Sequence, residues 1–374
     1  MNWNRHTASR PLVAVMSVML VAGACGGSAA TKAPAATTAP TATAAPAATT
    51  APAATTAPAT AAPAGNAVYT PLAAAPCDVS GKNIYFLSVL KGHPTLRLWQ
   101  QGFLDQAKVL GFKSATIASP DTADWAASVA LGEQIFATET AGDYGMVFGF
   151  VDPTQKDLIK KFGDAGVPVV IGHVEVPENT YPGLKGWAAF DPVKWAASAA
   201  DAIGEKIGGK GAVAITEGSF NAVEDAVAKG FADQMKAKFP NVKVLPPQEE
   251  GFDPPVSIAK AVAILQANPD VVGAVSTTGA GPVTWAGAAD QTGRTVYSIG
   301  PDMTRPNLDA VRDGKVYGLA AQPGYEEHQL AVDMIAQLMC GGTVKYANEL
   351  PAPIVLKDGL APYYEVVDRI DARK

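Results

Sequence analysis

Four histidines and three cysteines are the residues of this 374-residue chain best suited to nucleophilic or metal chemistry. Their spacing supports neither. His6, His93, His173 and His328 lie far apart, with no HExxH and no paired-cysteine spacing, so no zinc site is expected. No GxSxG elbow occurs. Gly204–Gly211 reads GEKIGGKG, close to a phosphate-binding loop. However, no Ser or Thr follows Lys210, and the stretch ends a helix and leads into a strand, the reverse of the required order. Gly279-Ala280-Gly281 is a bare GxG, and the pair Glu249-Glu250 reads as a solvated edge. What remains is binding chemistry, with no enzyme activity and no cofactor expected. Tyr85–Phe103, YFLSVLKGHPTLRLWQQGF, starts apolar, breaks at Lys91-Gly92-His93-Pro94 and resumes with helical spacing. A histidine in such a break can both donate and accept hydrogen bonds.

The elements that must position these residues alternate. Short β-rich runs are predicted at Asn83–Val89, Ser114–Ile117, Gly145–Phe150, Pro168–His173, Ala212–Glu217, Val242–Leu245, Val271–Ser276, Val296–Gly300, Val316–Ala321 and Ile354–Leu356. Between them, helical spacing covers Thr95–Leu110, Trp125–Thr140, Thr154–Ala165, Val193–Ile207, Ala222–Phe239, Pro255–Ala267, Pro282–Gln291 and Tyr325–Leu338. Asp191-Pro192 reads as an N-cap followed by proline at the first helical position. Continuous apolar strands such as Val167–Ile171 indicate burial on both faces, hence an α/β fold with parallel sheets. In such sheets ligands bind beyond the carboxyl ends of the strands. The polar break after the first strand is therefore a binding candidate.

Three stretches carry a family resemblance: Leu87–Phe103 with Pro94 and Gly102, Gly251–Val275 (GFDPPVSIAKAVAILQANPDVVGAV), and Tyr297–Pro323 (YSIGPDMTRPNLDAVRDGKVYGLAAQP). From about Lys82 to Leu356 the chain resembles periplasmic binding proteins of the ribose-binding type, the sugar-binding components of ABC transporters. The resemblance implies two doubly wound lobes joined by three crossovers, near Ala188–Phe190, Gln322–Gly324 and Pro351–Pro353. Lobe one would comprise residues 77–188 and 323–352, and lobe two residues 189–322 and 353–374. Cys77 and Cys340 would then share lobe one.

The resemblance also implies a ligand set. Asp302, in IGPD, matches the acidic position that accepts sugar hydroxyls; a local alternative is a helix N-cap before Met303. Gln322 matches a hinge amide that donates and accepts. Phe252 matches an aromatic that stacks on a ring, unless it packs in the core. His93, Thr95 and Leu96 stand where the family often has Asn and two aromatics, and Trp99 lies one turn on. His173 and Glu175 replace an Asp-Arg pair, Asp225 replaces an Arg, and Gly279 replaces an Asn. The acids Asp302, Glu217, Asp225 and Glu175 therefore face no arginine in the implied pocket. Acidic ligands, which usually recruit Arg, are disfavoured. A neutral polyol, a nucleoside or a cationic ligand fits better. The expected role is capture of a small, mostly uncharged polyhydroxylated molecule for an ABC permease; the alternatives are nucleoside binding or a receptor for a sensor.

The first residues are read separately. Arg5 and Arg10 precede an uncharged apolar run, Pro11–Gly23, of signal-peptide length. Ala22-Gly23-Ala24-Cys25 resembles a lipobox, which implies cleavage after residue 24 and a lipid on Cys25. Residues 25–76 read as a tether rich in Ala, Pro and Thr, with APAATT at Ala33, Ala45 and Ala51. An exported chain meets oxidising conditions, so Cys77 and Cys340 can pair or remain buried thiols. The net charge of -6 shows no basic stripe, so no nucleic-acid partner is expected. The chain is expected to act as a monomer attached to a membrane by the lipid alone.

Overall fold

A computed structural model describes residues 68–373. The predicted signal peptide, Cys25 and most of the predicted tether lie outside these residues. Along the chain the elements are β1 (Asn83–Leu87), α1 (Pro94–Leu110), β2 (Ser114–Ile117), α2 (Trp125–Thr138), β3 (Tyr144–Phe148), α3 (Lys156–Asp164), β4 (Val169–Gly172) and β5 (Leu184–Ala189). They continue as α4 (Pro192–Lys206), β6 (Gly211–Glu217), α5 (Ala222–Lys238), β7 (Val242–Val244), β8 (Gln248–Glu249), α6 (Pro254–Ala267), β9 (Val271–Ser276), α7 (Gly281–Thr292) and β10 (Tyr297–Gly300). The last are α8 (Arg305–Arg312), β11 (Gly318–Ala320), α9 (Gly324–Met339), β12 (Ala347–Glu349), β13 (Ile354–Val355) and α10 (Ala361–Asp371).

The strands form two sheets, β12-β5-β4-β3-β1-β2 and β13-β11-β10-β9-β6-β7, with β8 also on β6. Every pairing is parallel except β11 with β13. Two doubly wound α/β lobes result. The chain changes sheet between β5 and β6, between β11 and β12, and between β12 and β13. Val169–Gly172 is buried at every position, as a strand covered by helices on both faces requires. At Asp191 the cap forms as expected, accepting from Val193 N at 2.8 Å. Gly102 lets α1 approach α9 closely, because a Cβ there would lie 2.0 Å from the Tyr325 carbonyl oxygen.

Several elements escaped the sequence reading. Strand β5 (LKGWAA) carries Gly, Lys and Ala, and α8 (RPNLDAVR) is only eight residues long with proline in its first turn. Helix α10 opens with Ala-Pro and divides its contacts. Val366, Val367 and Ile370 share a core cluster with Leu98 and Leu110 of α1 and with Leu308 of α8. Arg369 pairs with Asp105 of α1 at 3.2 Å, while Arg305 of α8 reaches Asp368 at 2.6 Å and Asp371 at 2.7 Å. The tail is thus shared between the lobes rather than confined to lobe two. Ahead of Cys77, Tyr69 and Leu72 are pinned to lobe one: Tyr69 OH and Leu72 N both donate to Asp333, and Gln106 bridges Asp333 and the Leu72 carbonyl. Cys77 and Cys340 form a disulfide.

Candidate ligand-binding site

The segments after β1, β4, β6, β8, β9, β10 and β11 carry the predicted residues. After β1, the polar break becomes the start of α1: His93 Nδ1 accepts from Thr95 N at 3.3 Å and Pro94 occupies the first turn. His93 is exposed. Thr95, nearly buried, donates its hydroxyl to Asp302 Oδ2 at 2.6 Å. This bond joins the first turn of α1, which follows β1 of the first sheet, to the loop after β10 of the second. Asp302 is half-buried and left-handed, with φ 70°. A non-glycine residue held there is strained, and such strain clusters at binding sites. Burial pushes its carboxyl up, against the opposing pull of the Thr95 bond, His93 and His173. A Cβ at Gly279 would stand 2.1 Å from Asp302 Oδ2, so glycine is needed at that position. Buried Asn307 fixes the loop by donating to the carbonyls of Gly279 at 2.8 Å and Asp302 at 2.9 Å. Asp302 is not a helix cap: α8 begins after Thr304. Sequence reading passed over Asn307, whose signal was a polar residue on the apolar face of a short helix.

His173 follows β4 and is also left-handed, with φ 72°. Its Nδ1 lies 2.9 Å from Glu327 Oε2. Its ring packs on Trp99 at 4.1 Å and against Phe150 and Phe190. Trp99 is also stacked on His328 at 13°. Trp99 and Leu96 are both buried in one core cluster, so Leu96 at the second of the family's aromatic positions presents no open face to a ligand, and Trp99 is core. His328 is fully buried; burial lowers its pKa to about 3 and keeps it neutral, with Nδ1 on the Gly324 carbonyl at 2.7 Å. Glu327, buried beside it, is pushed up by burial and pulled back by His173.

The lobe-two wall is acidic. Glu217 ends β6 and is 1% exposed. Burial, then the hydrogen bond and charge of Asp225, then Glu224, raise its pKa to about 7. Glu224 Oε2 accepts from Gly218 N and from Thr277 Oγ1, each at 2.6 Å. Asp225 sits exposed in the first turn of α5. The reading of Glu249-Glu250 as a solvated edge is corrected. Glu249 is exposed, but Glu250 is fully buried, accepts from Ser276 at 3.1 Å and is raised to about 7 by burial. The pair continues from β8, where successive side chains point to opposite faces, so one of the two must turn inward. Phe252 is 64% exposed and lies over Gly218, where a Cβ would meet its ring at 2.4 Å; it is not a core residue. Gln322 is half-buried, and its side-chain amide makes no hydrogen bond among the described residues. Glu175 is exposed near the start of the loop after β4, its carboxyl raised by burial and by Asp191 and Glu349.

These parts adjoin. A Cβ at Gly218 would also meet Thr278, which precedes Gly279 and hence Asp302. The acidic wall and the Thr95–Asp302 contact therefore line one continuous surface at the strand ends. A separate surface cavity of about 420 Å³ beside Lys91 and Gly92 is lined by Arg97, Gln100, Asp121, Ile370 and Arg373, without Asp302 or Gln322. No helix among the described residues is long and apolar enough to cross a membrane.

The sequence pattern of the family described as periplasmic binding protein domain matches residues 84–343. The chain belongs to this family. Solved structures agree on the fold. A sugar-binding protein of a sugar ABC transporter from Bacillus halodurans superposes with a TM-score of 0.69 at 21% identity, covering 76% of this chain and 100% of that one. An arabinose-binding protein from Geobacillus stearothermophilus gives 0.68 at 19%, covering 76% and 99%. An ABC transporter solute-binding protein from Actinobacillus succinogenes 130z with bound D-allose gives 0.66 at 19%, covering 75% and 99%.

Proposed function

We propose that the protein is the solute-binding component of an ABC importer, closing its two lobes around a small polyhydroxylated ligand. The observation that carries this reading is Asp302: a strained, half-buried carboxylate at a strand end, one oxygen already held by a hydroxyl from the opposite lobe. A carboxylate accepts two hydroxyl protons at once with charge-assisted strength, so a diol can use the remaining lone pairs or replace Thr95. Gln322 supplies a free donor and acceptor at the hinge, His93 a second polar group, and exposed Phe252 a ring face. The sugar-binding relatives support a sugar or polyol as ligand. Hinge closure buries the ligand and builds the surface a permease recognises. Capture requires roughly micromolar affinity, about -8 kcal/mol. Cys25, lipidated, would hold the clamp at a membrane through the Ala/Pro/Thr tether, in the periplasm or at the cell surface.

A thermal-shift screen with pentoses, hexoses, polyols, nucleosides and quaternary amines tests the reading, because a ligand that binds only the native state raises the melting temperature. The shift should vanish in Asp302→Ala and in Gln322→Ala. A ligand whose shift survives both substitutions would place the site elsewhere.

A further inference from the structure

The carboxylates of the lobe-two wall are without ion-pair partners among the described residues: no Lys or Arg pairs with Glu217, Glu224, Asp225 or Glu250. Lys260 pulls on Glu250, but its influence ranks last, behind burial, the bonds from Thr216 and Ser276, and the charge of Glu224. Glu217 and Glu250 each bury a carboxylate oxygen, Oε2, that meets no donor. Asp225 and Glu224 both raise the cost of ionising Glu217, and a proton or a cation near the pair relieves that repulsion. No group of three or more His, Cys, Asp or Glu among the described residues is placed to hold a metal ion. An organic ammonium needs no such shell. Its three N–H donors can be shared among the two carboxylates and a hydroxyl such as that of Thr277.

We propose that the ligand of this cleft carries a protonated amine beside its hydroxyls, as an amino sugar or amino-polyol does, with the ammonium held by Glu217 and Asp225 and the hydroxyls by Asp302. The assignment rests on the clamp reading above and narrows it to a cationic member of the polyol class. The missing arginines then have a chemical reason: a guanidinium at the position of Asp225 would repel the ammonium that a carboxylate there attracts. Exposed Phe252 and Phe220, 64% and 58% accessible, flank this wall and offer ring faces to cover a cation when the cleft shuts.

The charge has a proton signature. In the free protein, burial and the neighbouring Asp225 and Glu224 raise Glu217 to about 7, and Glu224 in turn raises Glu250, against the pull of Lys260. An entering ammonium favours the ionised form, so binding releases a proton below that pH. Affinity is full between that pH and the pKa of the amine, and falls as pH drops below that range, by up to about tenfold per pH unit.

Calorimetry on the full folded chain should compare D-glucosamine with D-glucose and D-galactosamine with D-galactose at about pH 7, where the hexosamine is still largely an ammonium, and N-methylglucamine, a stronger base, with sorbitol at about pH 8 and about pH 6. At the higher pH, at least one amine should bind on the order of tenfold tighter than its hydroxyl twin. That advantage should shrink at the lower pH with proton release, and should disappear in Glu217→Gln, a substitution of equal size. Asp225→Asn on the exposed turn of α5 should do the same if the first variant folds poorly. Asp302→Ala should weaken both members of a pair. A hydroxyl twin that binds at least as tightly as its amine, without proton release but still lost in Asp302→Ala, would overturn the amine assignment and leave the clamp intact. Failure of all six compounds to bind would count against both.

Discussion

Asp302 and Gly279 form a coupled pair that makes the site sensitive to a single methyl group. Gly279→Ala places its Cβ where Asp302 Oδ2 now lies, so the carboxylate must move. Because the strain falls on a loop and not on the core, ligand affinity should fall on the order of tenfold to a hundredfold, the worth of a charge-assisted hydrogen bond. The melting temperature should drop only slightly; calorimetry and a melt on the same preparation separate the two. If affinity is unchanged, Asp302 does not touch the ligand. Thr95→Val removes the interlobe hydrogen bond to Asp302 while keeping the shape. It should shift the ligand-free protein toward the open form, which small-angle scattering reads as a larger radius. The chemical types at these positions were legible in the sequence: Asp302, Gln322 and His173 all follow strands. Their partners were not, because Thr95 and Asp302 lie 207 residues apart and His173 and Glu327 lie 154 apart.

At the scale of elements, α10 is the clearest case of structure that periodicity does not reveal. Its apolar residues Val366, Val367 and Ile370 gain meaning only against α1 and α8. Ile370→Ala should cost about 2–5 kcal/mol in a denaturant melt, as for other large-to-small changes in a packed interior. Arg369→Ala should cost less in stability but should alter closure, because it loosens α10 from Asp105 and Tyr325 of lobe one while Arg305 still holds it to lobe two. The disulfide Cys77–Cys340 staples the start of lobe one to the end of α9 across 263 residues of sequence. In the chain-entropy account a loop of this length adds up to about 5 kcal/mol, so a Cys77→Ser/Cys340→Ser double variant should melt well below the parent under non-reducing conditions. The strap at Tyr69–Leu72, tied to Asp333 on the same helix, puts the exit of the tether on lobe one. Lobe two is then the half free to swing.

Across the whole molecule, buried acids set the pH response. Glu250 and Glu326 are carried from an ordinary value of 4.5 up to about 7 by burial. Their folded values exceed their unfolded ones, so the native state binds more protons between about pH 4.5 and 7, and stability falls as pH rises through that window. Each pKa unit corresponds to about 1.4 kcal/mol. The ligand-free protein should therefore melt several degrees higher near pH 5.5 than near pH 8, in about the manner linkage requires. A ligand carrying an ammonium should reverse part of this trend by making the ionised form of Glu217 favourable. A ligand-free melt that is flat with pH would show that these acids titrate normally.

Alternating apolar runs and helical spacing determined, without coordinates, that the chain builds parallel α/β layers and that its chemistry belongs at strand ends. Those patterns report local burial, which each stretch of backbone carries in its own side chains. Which loop meets which was decided by the tertiary structure alone. The left-handed turns at His173 and Asp302, the inward rotation of Glu250 and the closing of Thr95 onto Asp302 all arise where distant segments crowd together, and electrostatic partners are chosen by that crowding rather than by neighbours along the chain.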